Sequence, residues 1–351
     1  MIVALLALQL GSLIAPAYAC GCGAMIPDRN QRIGVDRETS AVRWDGRTEQ
    51  IVMRFTVQGN AERAAWIMPV PGRADVALGD PELFDELERL TRPEHKDRHY
   101  FWPRAKDWPF DSDVDGAGAA APPRPGAVGV VGRERLGPFD VARLTATDPK
   151  ALSGWLEKNG FQLSDRLATE LRPYVEQKWE YVAVRLAPDA DGTALRGELD
   201  PLRISFASDR LIYPMRLSRL AKTHQSLGLY VLADHRMEPR DDIGGREPEV
   251  TFAGGIEETK GAVAALTGGR PVYLTALDQE FPEPSRIDGD HELRTVADTP
   301  YREVIYHDRL LTVGDGIPVW LLTVVGVLVA AVGTTVAVRV RRRRPAVRSA
   351  A

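Results

Sequence analysis

The chain of 351 residues carries 45 Lys and Arg against 49 Asp and Glu, a formal net charge of −4. Without the six arginines near its C-terminus, 39 basic and 49 acidic side chains remain, a net charge of −10. This acidic excess argues against nucleic acid as a partner. Two cysteines in so long a chain exclude a fold built on disulfides, so a hydrophobic core has to stabilise it.

The first 19 residues have the pattern of a signal peptide. Leu5 to Ala15 is an apolar run too short to span a bilayer, and Ala17-Tyr18-Ala19 has the small-x-small pattern that signal peptidase recognises. No Lys or Arg precedes Arg29, so either the start codon is misplaced or the signal is atypical. We predict a signal peptide over residues 1–19 and export of the chain that follows it.

Cys20 and Cys22 follow this cleavage site directly, with one glycine between them. They can form a short, strained disulfide, or bind a soft metal such as copper(I) or zinc through two thiolates. A redox role, a lipid on Cys20 and a bond between chains are further alternatives, although Ala17-Tyr18-Ala19 fits lipidation poorly. We favour a structural disulfide.

Strand and helix signals follow in close succession. Residues 41–57 alternate apolar and polar side chains around Asp45-Gly46, which predicts a β-hairpin. Residues 64–70 form a further apolar run and a predicted strand. Asp80-Pro81 is typical of a helix start, and Pro93 lies beyond the expected end of that helix.

The segment around residue 100 holds candidate ligands. His95 and His99 are four residues apart, a spacing that on a helix would place both imidazoles on one face as a weak zinc site. A solvated polar segment is the plainer interpretation, because prolines on both sides leave little room for a helix. Tyr100, Trp102 and Trp108 belong to the densest aromatic stretch. Three interpretations fit these aromatic rings: packing beneath a loop, stacking on sugar rings of the cell wall, or a position at the membrane interface.

Residues 111–127 are rich in Gly, Ala, Pro and acid, a composition that predicts an exposed loop or linker. Asp111, Asp113 and Asp115 match the first half of a calcium loop. Pro122 occupies the position where such a loop needs a bidentate glutamate, so we expect at most a weak calcium site there.

The second half combines helices and strands. Asp148-Pro149 and Ser164 are typical of helix starts. Apolar runs predict strands and one short helix (residues 259–266); the strands cover residues 179–186, 202–206, 211–217, 227–233, 272–277 and 302–306. The prediction is an extracytoplasmic α+β domain over residues 20–312, with mixed or antiparallel sheets and a few helices. It is either a single domain or two sub-domains, 20–110 and 128–312.

A second apolar run, residues 317–338, is long enough to span a bilayer. Trp320 lies near one end of it, where an indole prefers the interface. The basic residues after the run are Arg339, Arg341, Arg342, Arg343 and Arg344. Basic residues stay on the cytoplasmic side, so we predict a single-pass protein of the cell membrane with its N-terminal domain outside and residues 339–351 as a cytoplasmic tail.

No catalytic motif stands out. The sequence has no G-x-S-x-G, and its glycine pairs lack the lysine of a phosphate loop. The remaining histidines, which are His224, His235, His291 and His307, are dispersed. We therefore expect no catalysis and no resident cofactor, with an undetected hydrolase as an alternative.

Five sequence blocks resemble one family. CGCG at 20–23, WIMPVP at 66–71, LFDEL at 83–87, YPMRLS at 213–218 and YVLADHR at 230–236 are similar to blocks of the bacterial envelope family called domain of unknown function number 2330. The resemblance implies an envelope location but no activity and no functional residues. We predict a non-catalytic binding module for an envelope protein or cell-wall glycan, and as the alternative a redox or soft-metal protein that uses Cys20 and Cys22.

Overall fold

The structure, a computed structural model, describes residues 18–20, 23–28, 31–104, 107, 140–144, 149–186, 195, 197–314 and 316–343. The chain forms two compact units. Unit 1 comprises residues 1–93 and 129–303, and unit 2 comprises residues 94–128 and 304–351.

The described strands and helices are as follows in chain order. The strands are β1 (Tyr18–Cys20), β2 (Gly23–Pro27), β3 (Ile33–Trp44), β4 (Thr48–Gly59), β5 (Ala64–Val70), β6 (Ala74–Leu78), β7 (Glu94–Tyr100), β8 (Asp140–Leu144), β9 (Glu180–Leu186), β10 (Gly197–Glu198), β11 (Leu202–Ala207), β12 (Ile212–Tyr213), β13 (Gln225–Ala233), β14 (Met237–Pro239), β15 (Glu249–Ile256), β16 (Val272–Phe281), β17 (His291–Thr295), β18 (Tyr301–Arg302), β19 (Val304–Leu310), β20 (Thr312–Val313) and β21 (Ile317–Pro318). The α-helices are α1 (Leu83–Thr91), α2 (Pro149–Lys158), α3 (Asp165–Glu176), α4 (Gly261–Thr267) and α5 (Val319–Arg343). Short 3-10 helices cover Arg216–Leu220 and Pro284–Arg286.

Unit 1 is built on a nine-stranded sheet. Its strand order is β18-β15-β16-β13-β3-β4-β11-β6, and β10 pairs with β4 outside this path. The β3–β4 hairpin turns at Asp45-Gly46, where Gly46 has a positive φ of 86°. The predicted hairpin is therefore confirmed. β13 runs parallel to β3 and antiparallel to β16, so the sheet is mixed.

A five-stranded antiparallel sheet, in the order β1-β2-β5-β9-β8, packs on this large sheet. Side chains that alternate along β4 and β5 meet in the core between the two sheets, where the rings of Phe55 and Trp66 lie 5.4 Å apart. Such alternation places every second residue of a strand on the buried face. The predicted strand over residues 64–70 is confirmed as β5, and all seven of its residues are buried.

Helices cover the outer faces of both sheets. Leu152, Leu167 and Leu171 of α2 and α3 pack against the five-stranded sheet, and Phe84 and Val263 of α1 and α4 belong to the core on the nine-stranded sheet. Unit 1 thus has four layers, which confirms the predicted α+β class. Ser164 begins α3 as predicted, since its hydroxyl accepts a hydrogen bond from Leu167 N at 3.2 Å.

Two predicted strands differ from the structure. Residues 211–217 contain only the two-residue β12, and a 3-10 helix begins at Arg216. Pro214 has no N–H to donate to a ladder, so the strand ends before it. The predicted strand over residues 302–306 is divided between β18 in unit 1 and β19 in unit 2.

Unit 2 contains two sets of paired strands and α5. β7 pairs in parallel with β19 over seven residue pairs, from Glu94–Val304 to Tyr100–Leu310. β20 and β21 form a short antiparallel pair directly before α5. We call the β7–β19 pair the ribbon.

Candidate functional site

The ribbon carries the polar residues that the sequence singles out around residue 100. Directly opposed residues of paired strands point to the same side, and successive residues to opposite sides. One face therefore holds His95, Asp97 and His99 of β7 with His307 and Arg309 of β19. All five of these side chains are exposed or half-buried. Chemistry on the ribbon is therefore open to solvent.

His95 lies beside His307, not beside His99. The Nδ1 atom of His95 is 2.8 Å from the Nε2 atom of His307, and the two rings are stacked with centroids 5.0 Å apart. The helix on which the predicted zinc pair depends is absent, because residues 94–100 form β7. In a strand, positions four apart are separated by about 13 Å, so His95 and His99 are too distant to share one ion.

The opposite face holds a network centred on Asp308. Its carboxylate accepts hydrogen bonds from Arg98 at 2.7 and 3.2 Å and from Arg104 at 2.8 Å. These donors, Arg98 first and Arg104 second, hold the pKa of Asp308 well below its usual range. Both guanidinium groups also lie over aromatic rings, Arg98 5.6 Å from the Tyr306 centroid and Arg104 4.1 Å from that of Tyr100. The network therefore fixes two planar cations and a carboxylate on an exposed surface.

The three aromatic candidates have different surroundings. Tyr100 is half-buried, and its hydroxyl donates to Asp107 at 2.7 and 2.9 Å, which raises the pKa of Tyr100. Trp102 is 66% exposed and contacts Phe101 edge to face. Trp108 lies outside the described residues. The structure adds Tyr306, 55% exposed, which the sequence alone does not mark.

Backbone hydrogen bonds connect the end of the ribbon to α5. Leu311 N donates to Tyr100 O at 2.9 Å, and Val319 N donates to Leu311 O at 3.0 Å. Within the described chain, Val319–Arg342 is the helix long and apolar enough to cross a membrane, with a mean hydropathy of 2.4. Its 24 residues extend about 36 Å. Trp320 lies in its first turn.

The basic residues continue α5 at its other end. Arg339, Arg341, Arg342 and Arg343 are helical, and Arg344 lies outside the described residues. The helix therefore has the composition of a membrane anchor whose C-terminal end is basic.

Several predicted sites lie outside the described residues. These include all of residues 111–127, with Asp111, Asp113 and Asp115 of the calcium hypothesis, and Cys22. The backbone of Cys20 is described and pairs with Gly23 in the β1–β2 hairpin, but its side chain is not. The disulfide, metal and redox hypotheses for the cysteine pair therefore remain predictions.

Unit 1 contains buried polar groups. Tyr213 donates a hydrogen bond to Glu38, and its hydroxyl lies 2.6 Å from Ser40 Oγ. Glu49 is fully buried, which raises the pKa of its carboxyl well above the usual range; Ile212 N donates to it at 3.2 Å. These groups lie in the core, where substrate has no access.

None of the three described histidines of unit 1, His224, His235 and His291, completes a hydrolase site. His224 Nε2 contacts the exposed carboxylate of Glu280. His291 bonds to Gln279 at 2.6 Å, and the exposed His235 bonds to Asp298 at 2.9 Å. The Asp298 carboxylate, by its hydrogen bond and its charge, raises the pKa of His235. Asp298 also accepts from Arg236 N at 2.7 Å, so this pair stabilises a turn after β13. In the described part of the chain, no three His, Cys, Asp or Glu side chains converge as metal ligands.

Unit 1 also has an open groove of about 510 Å³, lined by Gly46, Arg47, Pro71, Trp179 and residues 207–210. Ser208 donates its hydroxyl to Arg210 O in this groove. The hydroxyl is thus bonded to a carbonyl, and the described residues that line the groove include no histidine and no cysteine. Among them, no serine–histidine or cysteine–histidine pair is therefore present.

Described residues of four sequence blocks have packing roles in unit 1. Gly23 of CGCG lies against Trp66 of WIMPVP, and a Cβ at Gly23 would come within 2.6 Å of the indole nitrogen. Glu86 of LFDEL accepts the first N–H groups of α4. In YPMRLS, Met215 N and Arg216 N both donate to Asp290, at 2.8 and 2.9 Å. These residues of the blocks therefore contribute to the packing of unit 1.

Comparison with known proteins identifies a family. The family model described as "Uncharacterized protein conserved in bacteria (DUF2330)" matches residues 16–294. The matched range includes most of unit 1 and residues 94–128 of unit 2, with β7, but not β19 or α5. Among curated proteins no match was found. A crystal structure of baculovirus P35 aligns with 76% of this chain and 97% of its own, at 9% identity and a TM-score of 0.34, which is too low to support an argument. By the match over residues 16–294, the chain belongs to the bacterial family of domain of unknown function 2330.

Proposed function

We propose that the chain is a non-catalytic binding module anchored in the membrane of the bacterial envelope, and that its ribbon binds cell-wall glycan. The arginines at the C-terminal end of α5 support an orientation with the N-terminal domain outside, since basic residues stay in the cytoplasm. The family match supports a bacterial setting.

The observation that carries the proposal is the fixed row of planar groups on the ribbon. Arg98, Asp308 and Arg104 are held by mutual hydrogen bonds, and Tyr306 exposes its ring beside Arg98. Groups that are already ordered lose little conformational entropy when a ligand binds. Aromatic faces stack on the apolar faces of sugar rings, and the charged groups hydrogen-bond to hydroxyls.

The shape of the ribbon supports an extended polymer as the ligand. Seven residue pairs span about 23 Å, and the surface is open along that length. A small molecule is usually enclosed in a concave pocket. A glycan strand contacts a flat, elongated surface through several rings in succession.

Co-sedimentation with insoluble purified peptidoglycan tests the proposal, with the full chain in detergent. We expect Tyr306→Ala and Trp102→Ala each to weaken binding about fivefold, since one aromatic contact contributes roughly 1 kcal/mol. Tyr301→Ala is the matched control, because Tyr301 is 46% exposed but lies in unit 1. Equal sedimentation of all variants would refute glycan binding through the ribbon. If the same two variants lose an envelope protein instead, the ligand is protein.

The cysteine pair supports a second candidate function, redox or soft-metal handling. The β1–β2 register places Cys20 opposite Gly23, so only residues 21 and 22 connect the two strands. Cleavage after Ala19 would remove two of the three β1 residues, Tyr18 and Ala19, which pair with Met25 and Ala24. Mass spectrometry of the N-terminal peptide, without and with reduction, tests both points. A peptide that begins at Cys20 and is two hydrogens lighter than the dithiol indicates a disulfide, whereas reactive thiols or bound metal favour the second function.

A further inference from the structure

The stacked pair of His95 and His307 has no role in the glycan surface, which lies on the opposite face of the ribbon. The two residues are 212 positions apart in sequence, and the facing ring nitrogens are 2.8 Å apart. One ring must donate its N–H and the other must accept at this distance. Both side chains are exposed, so each can rotate about its χ angles at small cost.

The charged neighbours of the pair are already neutralised by each other. On the same face, Arg309 contacts Asp97 at 3.1 Å, and Asp97 is directly opposite His307 in the register. Lys96 contacts Glu94 at 3.2 Å on the other face. Among the described residues of the ribbon, each cation thus has a carboxylate partner, and none lies uncompensated beside the imidazoles to repel a metal ion.

Two neutral imidazoles are good ligands for borderline divalent ions such as Zn²⁺ and Cu²⁺. With metal–nitrogen bonds of about 2.0–2.1 Å and tetrahedral angles, two nitrogen ligands of one ion stand about 3.3 Å apart. The observed 2.8 Å separation needs to widen by about half an ångström, and both rings need to turn so that their lone pairs converge on the ion. The hydrogen that the two nitrogens share then moves to the other nitrogen of its own ring, which leaves one lone pair from each ring on the ion.

We propose that His95 and His307 form a surface site for a divalent transition metal of the zinc class, completed by water. Asp97 becomes a third ligand only if its ion pair with Arg309 breaks. A two-stranded parallel ribbon gains little stability from its own pairing. An ion that joins β7 to β19 stabilises the paired state by mass action, so the metal sets how firmly the strand that precedes α5 is held.

Zinc titration of the full chain in detergent tests the site, with isothermal calorimetry for binding and hydrogen exchange for strand pairing. Cys20→Ser and Cys22→Ser are present throughout, so that the cysteines take up no metal. We expect one zinc ion per chain and slower exchange of residues 94–100 and 304–310 when zinc is bound. His95→Asn and His307→Asn should each weaken binding at least tenfold, whereas His99→Asn, on the same strand and face, should bind as before.

A rescue variant separates ligation from folding. His307→Cys supplies a thiolate at the same position, and Co²⁺ bound there gives an intense sulfur-to-metal absorption band. The site is supported if His307→Cys binds metal with this absorption band and if, without metal, the amide hydrogen exchange of its ribbon equals that of the wild type. Three results would overturn the proposed site. They are unchanged zinc binding in His95→Asn or His307→Asn, an equal loss of binding in His99→Asn, and no binding by the unaltered ribbon at 100 μM zinc.

Discussion

His291 predicts how the stability of unit 1 depends on pH. Its side chain is 1% exposed in β17, and its Nε2 lies 2.6 Å from Gln279 Oε1. The amide of Gln279 donates to Asp242 O and Arg246 O at 2.9 and 2.8 Å, so its oxygen must accept from His291. The Nδ1 atom of His291 is then unprotonated, and it has no hydrogen-bond partner within the described chain.

Burial lowers the pKa of His291 from an ordinary 6.5 to about 4, and the charge of Asp242 opposes this only in part. Between these values the unfolded chain binds a proton that the folded chain does not bind, so stability falls as pH falls. The full effect is ~3 kcal/mol, reached below about pH 4. Between pH 7 and pH 5 the loss is about 2 kcal/mol.

Urea unfolding of the full chain in detergent, followed by tryptophan fluorescence at pH 7 and pH 5, measures this loss. Other groups also titrate, so the relevant quantity is the difference between the wild type and His291→Gln, whose amide can still donate to Gln279. We expect the wild type to lose about 2 kcal/mol more than the variant. His99→Gln, an exposed control, should behave as the wild type. Equal losses in the wild type and His291→Gln would refute the assignment of a buried neutral imidazole.

Three further predictions concern unit 1. Burial raises the pKa of Glu49, so the unfolded chain releases this proton at lower pH than the folded chain, and the stability of unit 1 falls as the pH rises above 4.5. The variant Glu49→Gln keeps an acceptor for Ile212 N and should be more stable than the wild type in urea unfolding at pH 8. Gly23→Ala should lower the free energy of unfolding by ~1–3 kcal/mol, because the added Cβ would lie 2.5 Å from Ile67 O. At Gly34 an added Cβ would have no heavy atom within 4 Å, so Gly34→Ala should change stability little. Equal effects of the two variants would contradict this packing argument. Glu86→Ala should destabilise unit 1 by ~1–2 kcal/mol, because it removes the hydrogen bonds of 3.0 and 2.9 Å to the start of α4. The control Asp85→Ala changes the neighbouring, exposed residue and should not destabilise unit 1 in this way.

Much of unit 1 was predictable because its signals are local. The β3–β4 hairpin follows from apolar alternation around Asp45-Gly46, and β5 follows from an apolar run between turn residues. Ser164 marks the start of α3 because its hydroxyl satisfies an N–H that the helix leaves open. The apolar length of α5 is likewise a property of consecutive residues.

The ribbon was not predictable in the same way. β7 consists of polar residues with neither face buried, so no alternation marks it, and its composition is that of a solvated polar segment. Its conformation comes from pairing with β19, about 200 residues further along the chain. Asp308, Tyr306 and His307 therefore entered the candidate site only once that pairing was known.

The sequence by itself determined the elements whose information lies within one segment: the core strands, the helix starts and the apolar helix. Only the tertiary structure decided which segments are neighbours, and with them the His95–His307 pair and the arginine network on Asp308. Alternation, capping and apolar length act between residues a few positions apart. The register between distant strands depends on the packing of the whole chain, and for that reason it leaves no local pattern in the sequence.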